Sequence, residues 1–184
     1  CKKWQDEGLT PLRVAVNLSY HQFQMQNLVE CVSRVLRETG LEPRWLELEI
    51  SEGLAMKNVE DVFSILMQLK EMGVTITTDD FGLYFSFAGL KYFPVHNLKI
   101  DRSFVKDIGT NRNNEAIAAT VLFLGESMDL GVIAEGVENQ DQLDFLMQHN
   151  CSMMQGYIFG RPMEPADFKK LLLGEHELSE QEIG

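Results

Sequence analysis

Short β-rich runs alternate with longer helical segments along almost the whole chain, and this order restricts the fold. Strands are predicted at residues 12–19, 45–50, 74–79, 95–100, 132–135 and 153–158. Helices are predicted between and after them, at 59–72, 116–130, 140–149 and 165–173 among others, and Gly40, Gly73 and Gly131 end three of the helical segments. Such alternation indicates parallel strands joined by helices, so the fold class is α/β. Two architectures fit this pattern, a doubly wound open sheet and a (β/α)8 barrel.

Two of the helical segments carry an apolar stripe that repeats every 3.6 residues. The stripes are Leu28, Val32 and Val35 in the first segment and Val62, Leu66 and Leu69 in the second. Side chains spaced in this way share one helix face, so we expect both stripes to lie in the hydrophobic core.

A polar side chain suited to chemistry follows or ends each of the six predicted strands. These residues are Asn17, Glu49, Asp79 with Asp80, Lys99, Glu135 and Gln155. An open sheet concentrates its site at one switch point, whereas a barrel collects groups from many strand ends onto one face. The strand ends therefore favour the barrel. A barrel has eight strands and typically about 250 residues. The 184 residues of this chain therefore predict about six of the eight β/α units, with the first two strands absent before residue 1.

The strand ends are also rich in oxygen ligands. Asn17, Glu49, Asp79, Asp80 and Glu135 are the side chains that offer them. Mg²⁺ and Mn²⁺ prefer such ligands, and a cation removes the repulsion between neighbouring carboxylates. Lys99 lies among these residues in the predicted order and would orient a metal-bound water or neutralise charge in the transition state.

Composition narrows the classes of function. The chain has 28 acidic and 16 basic residues and a net charge of −12, which argues against a nucleic-acid polymer as partner. Cys1, Cys31 and Cys151 lie far apart without a CxxC spacing, so we expect neither a disulfide framework nor a zinc site and favour a reducing cytoplasm. The sequence has no run of about 18 apolar residues, so no membrane span is predicted. Residues 1–174 are predicted to form one barrel domain, and residues 175–184 an acidic polar tail.

Six short motifs follow one another in a characteristic order. They are Asn17-Leu-Ser19, Glu47-Leu-Glu49-Ile-Ser-Glu52, Asp79-Asp-Phe-Gly82, Leu98-Lys-Ile-Asp101, Ala134-Glu-Gly-Val-Glu138 and Gln155-Gly-Tyr157. This order and spacing resemble the EAL-domain family, cyclic di-GMP phosphodiesterases built on a modified (β/α)8 barrel. The resemblance implies metal-dependent hydrolysis of cyclic di-GMP to linear pGpG in bacterial signalling. It further implies a homodimer and fusion to an upstream GGDEF or sensor domain. The domain itself is expected to make no membrane contact, and a longer protein that contains it is compatible with a membrane anchor.

The resemblance also assigns roles to single residues. The two-metal ligand set would be Asn17, Glu49, Asp79, Asp80 and Glu135, with Mg²⁺ or Mn²⁺ as cofactor. Lys99 resembles the residue on the attacking water, and with Glu49, Asp79 and Glu135 it makes up the catalytic group. Glu52 is similar to the acid that steadies the Asp-Asp-Phe-Gly loop. Asp101, Glu138 and Gln155 are similar to residues that line the nucleotide pocket.

The sequence departs from the family pattern in two places. The Glu-Ala-Leu segment that gives the family its name is not in the chain. After Asp80 the sequence runs Phe81-Gly-Leu-Tyr-Phe-Ser-Phe87, one residue shorter than the family pattern and without its second glycine. A catalytically weak or inactive EAL-type receptor for cyclic di-GMP is therefore the alternative to an active enzyme. A third reading, independent of the resemblance, is an enolase-like metal enzyme with carboxylates and a lysine on successive barrel strands.

Overall fold

The structure is a computed structural model that describes residues 1–23, 27–51, 53, 59–82 and 93–174. The chain consists of two compact units, Cys1–Leu98 and Lys99–Gly184. The predicted acidic tail, residues 175–184, lies outside the described residues.

The described residues of the first unit form three complete parallel strands with helices between them. Its elements are α1 (Lys2–Asp6), β1 (Val14–Leu18), α2 (Tyr20–Phe23), α3 (Leu28–Thr39), a 3-10 turn (Pro43–Trp45), β2 (Leu46–Ser51), α4 (Val59–Glu71), β3 (Thr75–Phe81) and the first two residues of β4 (Asn97–Ile100). The strands pair in chain order, β1 with β2 and β2 with β3. Asn17 lies opposite Glu49, and Glu49 lies opposite Thr77.

The helices of this unit end where the sequence predicts. Gly40 follows α3 with φ 69°, a left-handed conformation that glycine adopts without steric cost, and its N–H donates to the carbonyl of Leu36. The stripe on α4 is buried as predicted, with Leu66 and Leu69 fully shielded from solvent.

The stripe predicted for α3 is correct at Leu28 and Val32 but wrong at Val35, which is 45% exposed. Successive helical residues turn by about 100°, so Val35 lies about 60° round the helix from Val32, at the flank of the buried face. Leu36, one residue later, completes that face instead.

The second unit continues the alternation of strand and helix. Its elements are the last two residues of β4, α5 (Arg102–Val105), α6 (Arg112–Ser127), β5 (Gly131–Glu135), α7 (Gln140–Gln148), β6 (Met153–Gln155) and α8 (Pro165–Leu172). β5 and β6 are parallel, with Glu135 opposite Gln155. None of the helices in the described part of the chain is long and apolar enough to cross a membrane.

Several boundaries in this unit differ from the prediction. Helix α6 ends at Ser127 rather than residue 130, and Gly131, which is predicted to end that helix, is instead the first residue of β5. Helix α6 begins at Arg112 rather than 116, because the side chain of Asn111 accepts hydrogen bonds from the N–H groups of residues 113 and 114 and caps the helix earlier. Strand β6 ends at Gln155 rather than residue 158. Beyond it, the N–H of Ile158 donates to the carbonyl of Val137, so the chain bonds to the loop after β5 instead of extending the ladder.

Candidate metal and nucleotide site

The first unit brings two of the predicted metal ligands side by side. Asn17 lies one residue before the end of β1, and its partner across the parallel ladder is Glu49 on β2. Cα partners in a parallel pair point their side chains to the same face of the sheet. Asn17 is exposed, whereas Glu49 is only 7% exposed. The amide and the carboxylate therefore share one face at the carboxyl ends of their strands.

Asp79 and Asp80 follow on β3. The N–H of Asp80 donates to Oδ1 of Asp79 at 3.0 Å, and Asp80 has φ 57°. Aspartate is among the few non-glycine residues that tolerate this left-handed conformation. Consecutive residues of a regular strand point to opposite faces. The positive φ breaks that alternation, so the two adjacent carboxylates are not forced apart.

A buried polar network lies beside these residues, and the sequence analysis gave it no role. Thr77 donates to Oε1 of Glu47 at 2.5 Å and accepts from Nδ2 of Asn97 at 3.0 Å. Glu47 is 6% exposed, and Nη1 of Arg13 lies 3.5 Å from its other carboxylate oxygen. The available sequence signal was the spacing of Glu47 and Glu49, because residues two apart in a strand share a face.

His96, the residue before β4, also forms a paired contact with β3. Its N–H donates to the carbonyl of Ile76 at 2.8 Å, and its Nδ1 accepts from the N–H of Ile76 at 3.0 Å. Burial is the main cause that lowers the pKa of His96, and the positive charge of Lys70 acts in the same direction. The hydrogen bond to Nδ1 requires a neutral ring nitrogen, because a protonated Nδ1 has no lone pair with which to accept it.

The second unit brings Lys99 and Glu135 into direct contact. Nζ of Lys99 lies 2.6 Å from Oε1 of Glu135, and the two side chains are 5% and 20% exposed. Glu135 ends β5 opposite Gln155, whose side chain is exposed at the end of β6. Lys99, Glu135 and Gln155 thus lie at or next to the ends of their strands, as the sequence predicts. Glu135 is the carboxylate partner of Lys99.

Two of the residues predicted to line a nucleotide pocket have partners within this unit. Asp101 caps α5, because its Oδ1 accepts from the N–H and the hydroxyl of Ser103. Glu138 forms an ion pair with Arg102, with Nη2 and Oε1 2.6 Å apart. These contacts explain why acidic residues stand at both positions, and the nucleotide contacts remain predictions.

The donor chemistry of the strand ends suits a hard cation. The first unit offers amide and carboxylate oxygens from Asn17, Glu49, Asp79 and Asp80, which is the ligand type of Mg²⁺ and Mn²⁺. Within the described ranges, no group of three or more His, Cys, Asp or Glu side chains lies close enough to hold a metal ion. Glu52 and the shortened segment after Gly82 lie outside the described residues.

Comparison with known proteins identifies the family. The family model described as EAL domain matches residues 1–162, and the chain belongs to this family. Signaling protein YkoW of Bacillus subtilis is 39% identical over 177 residues, which cover 94% of this chain and 22% of YkoW. The chain therefore spans about a fifth of the length of that curated relative.

Solved structures confirm the fold class. The PaMucR phosphodiesterase in complex with c-di-GMP is 39% identical, with a TM-score of 0.87 over 91% of this chain and 68% of that one. A manganese/cy-diGMP complex of Klebsiella pneumoniae BlrP1 is 26% identical, with a TM-score of 0.79 over 88% of this chain and 42% of that one. EAL domains are barrel-like, so the predicted (β/α)8 class is confirmed, with six strands in the described part of this chain.

Proposed function

We propose that this EAL domain hydrolyses cyclic di-GMP to linear pGpG. The observation that carries the proposal is the ion pair between the buried Lys99 and the half-buried Glu135, 2.6 Å apart. Both lie at strand-end positions for which the family resemblance implies a catalytic role. The c-di-GMP complex of PaMucR supports the choice of ligand. A pure binding module has no need of a buried ammonium group paired with the carboxylate of Glu135.

The proposed metal ligands are Asn17, Glu49, Asp79, Asp80 and Glu135, with Mg²⁺ or Mn²⁺ as the cofactor. The manganese complex of BlrP1 supports this choice of cation. Bound divalent metals would supply a water of lowered pKa and stabilise negative charge on oxygen. The chain has an excess of 12 negative charges, so an anionic substrate needs cations at the site.

Lys99 provides the chain's own positive charge at the proposed centre. Its side chain is 5% exposed, so its hydrogen bonds act at low dielectric, where they are stronger than in water. Glu135 fixes the ammonium group through one oxygen. Lys99 would orient the attacking water and stabilise the charge that develops on the phosphate.

Asp101, Glu138 and Gln155 are the proposed nucleotide contacts. The exposed amide of Gln155 offers both a donor and an acceptor to a guanine edge. Oδ1 of Asp101 accepts the hydrogen bond that caps α5, and Oε1 of Glu138 pairs with Arg102. Each carboxylate would therefore contact the nucleotide through its second oxygen.

Charge-removing substitutions at the proposed ligands test this function. Glu49→Gln and Asp79→Asn should abolish turnover and leave the circular dichroism spectrum unchanged, since each removes a charge at nearly constant volume. Asp80 should be replaced by asparagine rather than alanine, because asparagine also tolerates the positive φ. Glu71→Gln, at an exposed position near the end of α4, is the matched control and should keep full activity.

Metal dependence provides the second arm of the test. Turnover should require Mg²⁺ or Mn²⁺ and stop with a chelator, and Ca²⁺ should inhibit because it prefers more ligands at longer distances. Hydrolysis that persists in excess chelator would exclude the metal mechanism. Wild-type protein that neither binds nor hydrolyses cyclic di-GMP would exclude the function altogether.

A receptor function is the second candidate, and the short segment after Asp80 favours it. We expect binding of cyclic di-GMP with slow single-turnover hydrolysis at saturating metal. Grafting Thr-Gly-Tyr-Ser-Ser in place of residues 83–87 should then raise kcat with little change in affinity. A wild-type rate equal to that of the graft would show that the segment is neutral and leave the enzyme as the function.

A further inference from the structure

Two ion pairs link the same two segments of the second unit. Lys99 contacts Glu135 and Arg102 contacts Glu138, each at 2.6 Å. Both partners of the second pair lie three residues after the partners of the first. The inner pair is largely buried, whereas the side chains of Arg102 and Glu138 are 60% and 37% exposed. The outer pair therefore joins the start of α5 to the loop that follows Glu135.

Arg102 touches this loop at a second point. Gly136, the residue directly after Glu135, has φ 72°. A Cβ placed on Gly136 would lie 3.0 Å from Cβ and from Cδ of Arg102 and closer still to Cγ. The aliphatic part of Arg102 thus covers the backbone of Gly136, and its guanidinium group holds Glu138.

Hydrogen bonds also fix the backbone at Arg102 and at the far end of the loop. Arg102 is the first residue of α5, which Asp101 caps. At the other end of the loop, the N–H of Glu138 donates to Oε1 of Gln142 at 2.6 Å, and Nε2 of Gln142 donates to the carbonyl of Lys106 at 3.1 Å. Gln142 is 1% exposed. The far end of the loop is thus anchored, and Arg102 contacts the part next to Glu135.

We propose that Arg102 is a positioning residue, which holds residues 135–138 in the conformation that keeps the carboxylate of Glu135 on Lys99. The inference rests on the proposed hydrolysis, because the inner pair then orients the attacking water. An exposed ion pair contributes little to global stability, so the effect of Arg102 is local. A displacement of about 1 Å at a reacting group can cost on the order of 10²-fold in rate.

Kinetics of Arg102 variants provide the first test. Arg102→Met should lower kcat about 10- to 100-fold, with a smaller rise in KM because it also releases Glu138, a proposed nucleotide contact. Arg102→Lys should recover part of the loss because it keeps an aliphatic stem and the charge. Lys170→Met is the matched control, since it breaks an exposed pair of similar length, 2.7 Å to Asp167, on α8. A rise in KM at constant kcat, or an equal loss in the control, would overturn the proposal.

The contact over Gly136 gives an independent test. Gly136→Ala should lose activity because its new methyl group meets Arg102 and because φ 72° is unfavourable for alanine. Arg102→Ala removes Cγ, the nearest of the atoms that the methyl group meets, and Cδ. The double variant should therefore be no less active than Gly136→Ala alone. Losses that multiply would show that the two residues act separately and would overturn the proposal.

A spectroscopic readout separates this inference from the proposed hydrolysis. The ¹³C chemical shift of the Glu135 carboxylate, assigned with Glu135→Gln, should change in Arg102→Met and stay constant in Lys170→Met. An inactive wild type that shows this change would refute the hydrolysis and retain the positioning. An unchanged shift in Arg102→Met would refute the positioning, whatever the activity.

Discussion

Replacing Thr77 by valine isolates the buried network of the first unit. Thr77 is fully buried, and its hydroxyl both donates to Glu47 and accepts from Asn97. Valine has nearly the same shape but lacks the hydroxyl, so the substitution removes two hydrogen bonds without leaving a cavity.

The expected loss of stability comes from Glu47 and Asn97, which lose their hydrogen bonds to Thr77. A hydrogen bond to a buried carboxylate contributes about 1.5–3 kcal/mol, and an unsatisfied buried amide costs about 1–3 kcal/mol. Arg13 lies 3.5 Å from Glu47 and is 44% exposed, so it compensates only partly. We expect a loss of about 3 kcal/mol. For a chain of this size that corresponds to a fall in Tm of roughly 6–12 °C.

Thermal and urea denaturation followed by circular dichroism measure the effect, with Thr77→Ser as the matched control. Serine keeps the hydroxyl and loses one methyl group, which costs about 1 kcal/mol. Thr77→Val should therefore be clearly less stable than Thr77→Ser. A valine variant as stable as the serine variant would show that the network does not stabilise the fold.

Three further outcomes are expected from single substitutions. Burial lowers the pKa of His96 below its ordinary 6.5, so the unfolded chain protonates first as the pH falls. Stability should then decline below about pH 6.5, and urea midpoints should vary less with pH in His96→Asn. Gly156→Ala should cost about 1–3 kcal/mol or more by urea denaturation, because the new Cβ would overlap the backbone of Val137. Leu66→Ala should cost about 2–5 kcal/mol, whereas Phe63→Ala, at a position 39% exposed, should cost about 1 kcal/mol or less in the same assay.

Features of the fold with local signals could be predicted from the sequence. Gly40 ends α3 in a left-handed conformation, and the stripe on α4 is buried. The exposure of Val35 and the early end of β6 could not be predicted in this way, because both depend on what neighbouring elements cover. The contact between Val137 and Ile158 that ends β6 joins residues 21 positions apart, and no periodicity encodes it.

The candidate site also combines features that local sequence signals predict with features that depend on long-range contacts. Parallel pairing of strands predicts that Asn17 and Glu49 lie at the same edge of the sheet, and the register in the structure places them directly opposite each other. The sequence did not predict the hydrogen-bond network around Glu47 or the contacts of Arg102 with the loop after β5. Arg102 and Glu138 are 36 residues apart, and their contact depends on the conformation of Gly136, which only the structure shows.

Gln142 restricts what evolution or engineering can place at its position. Its Oε1 accepts from the N–H groups of Glu138 and Asn139, and its Nε2 donates to the carbonyl of Lys106. Glutamate offers no donor and would set a charge against that carbonyl, and asparagine is one methylene too short. Leucine would leave three backbone groups without this partner. No conservative replacement satisfies all three demands, so this polar side chain tolerates substitution as poorly as any apolar residue of the core.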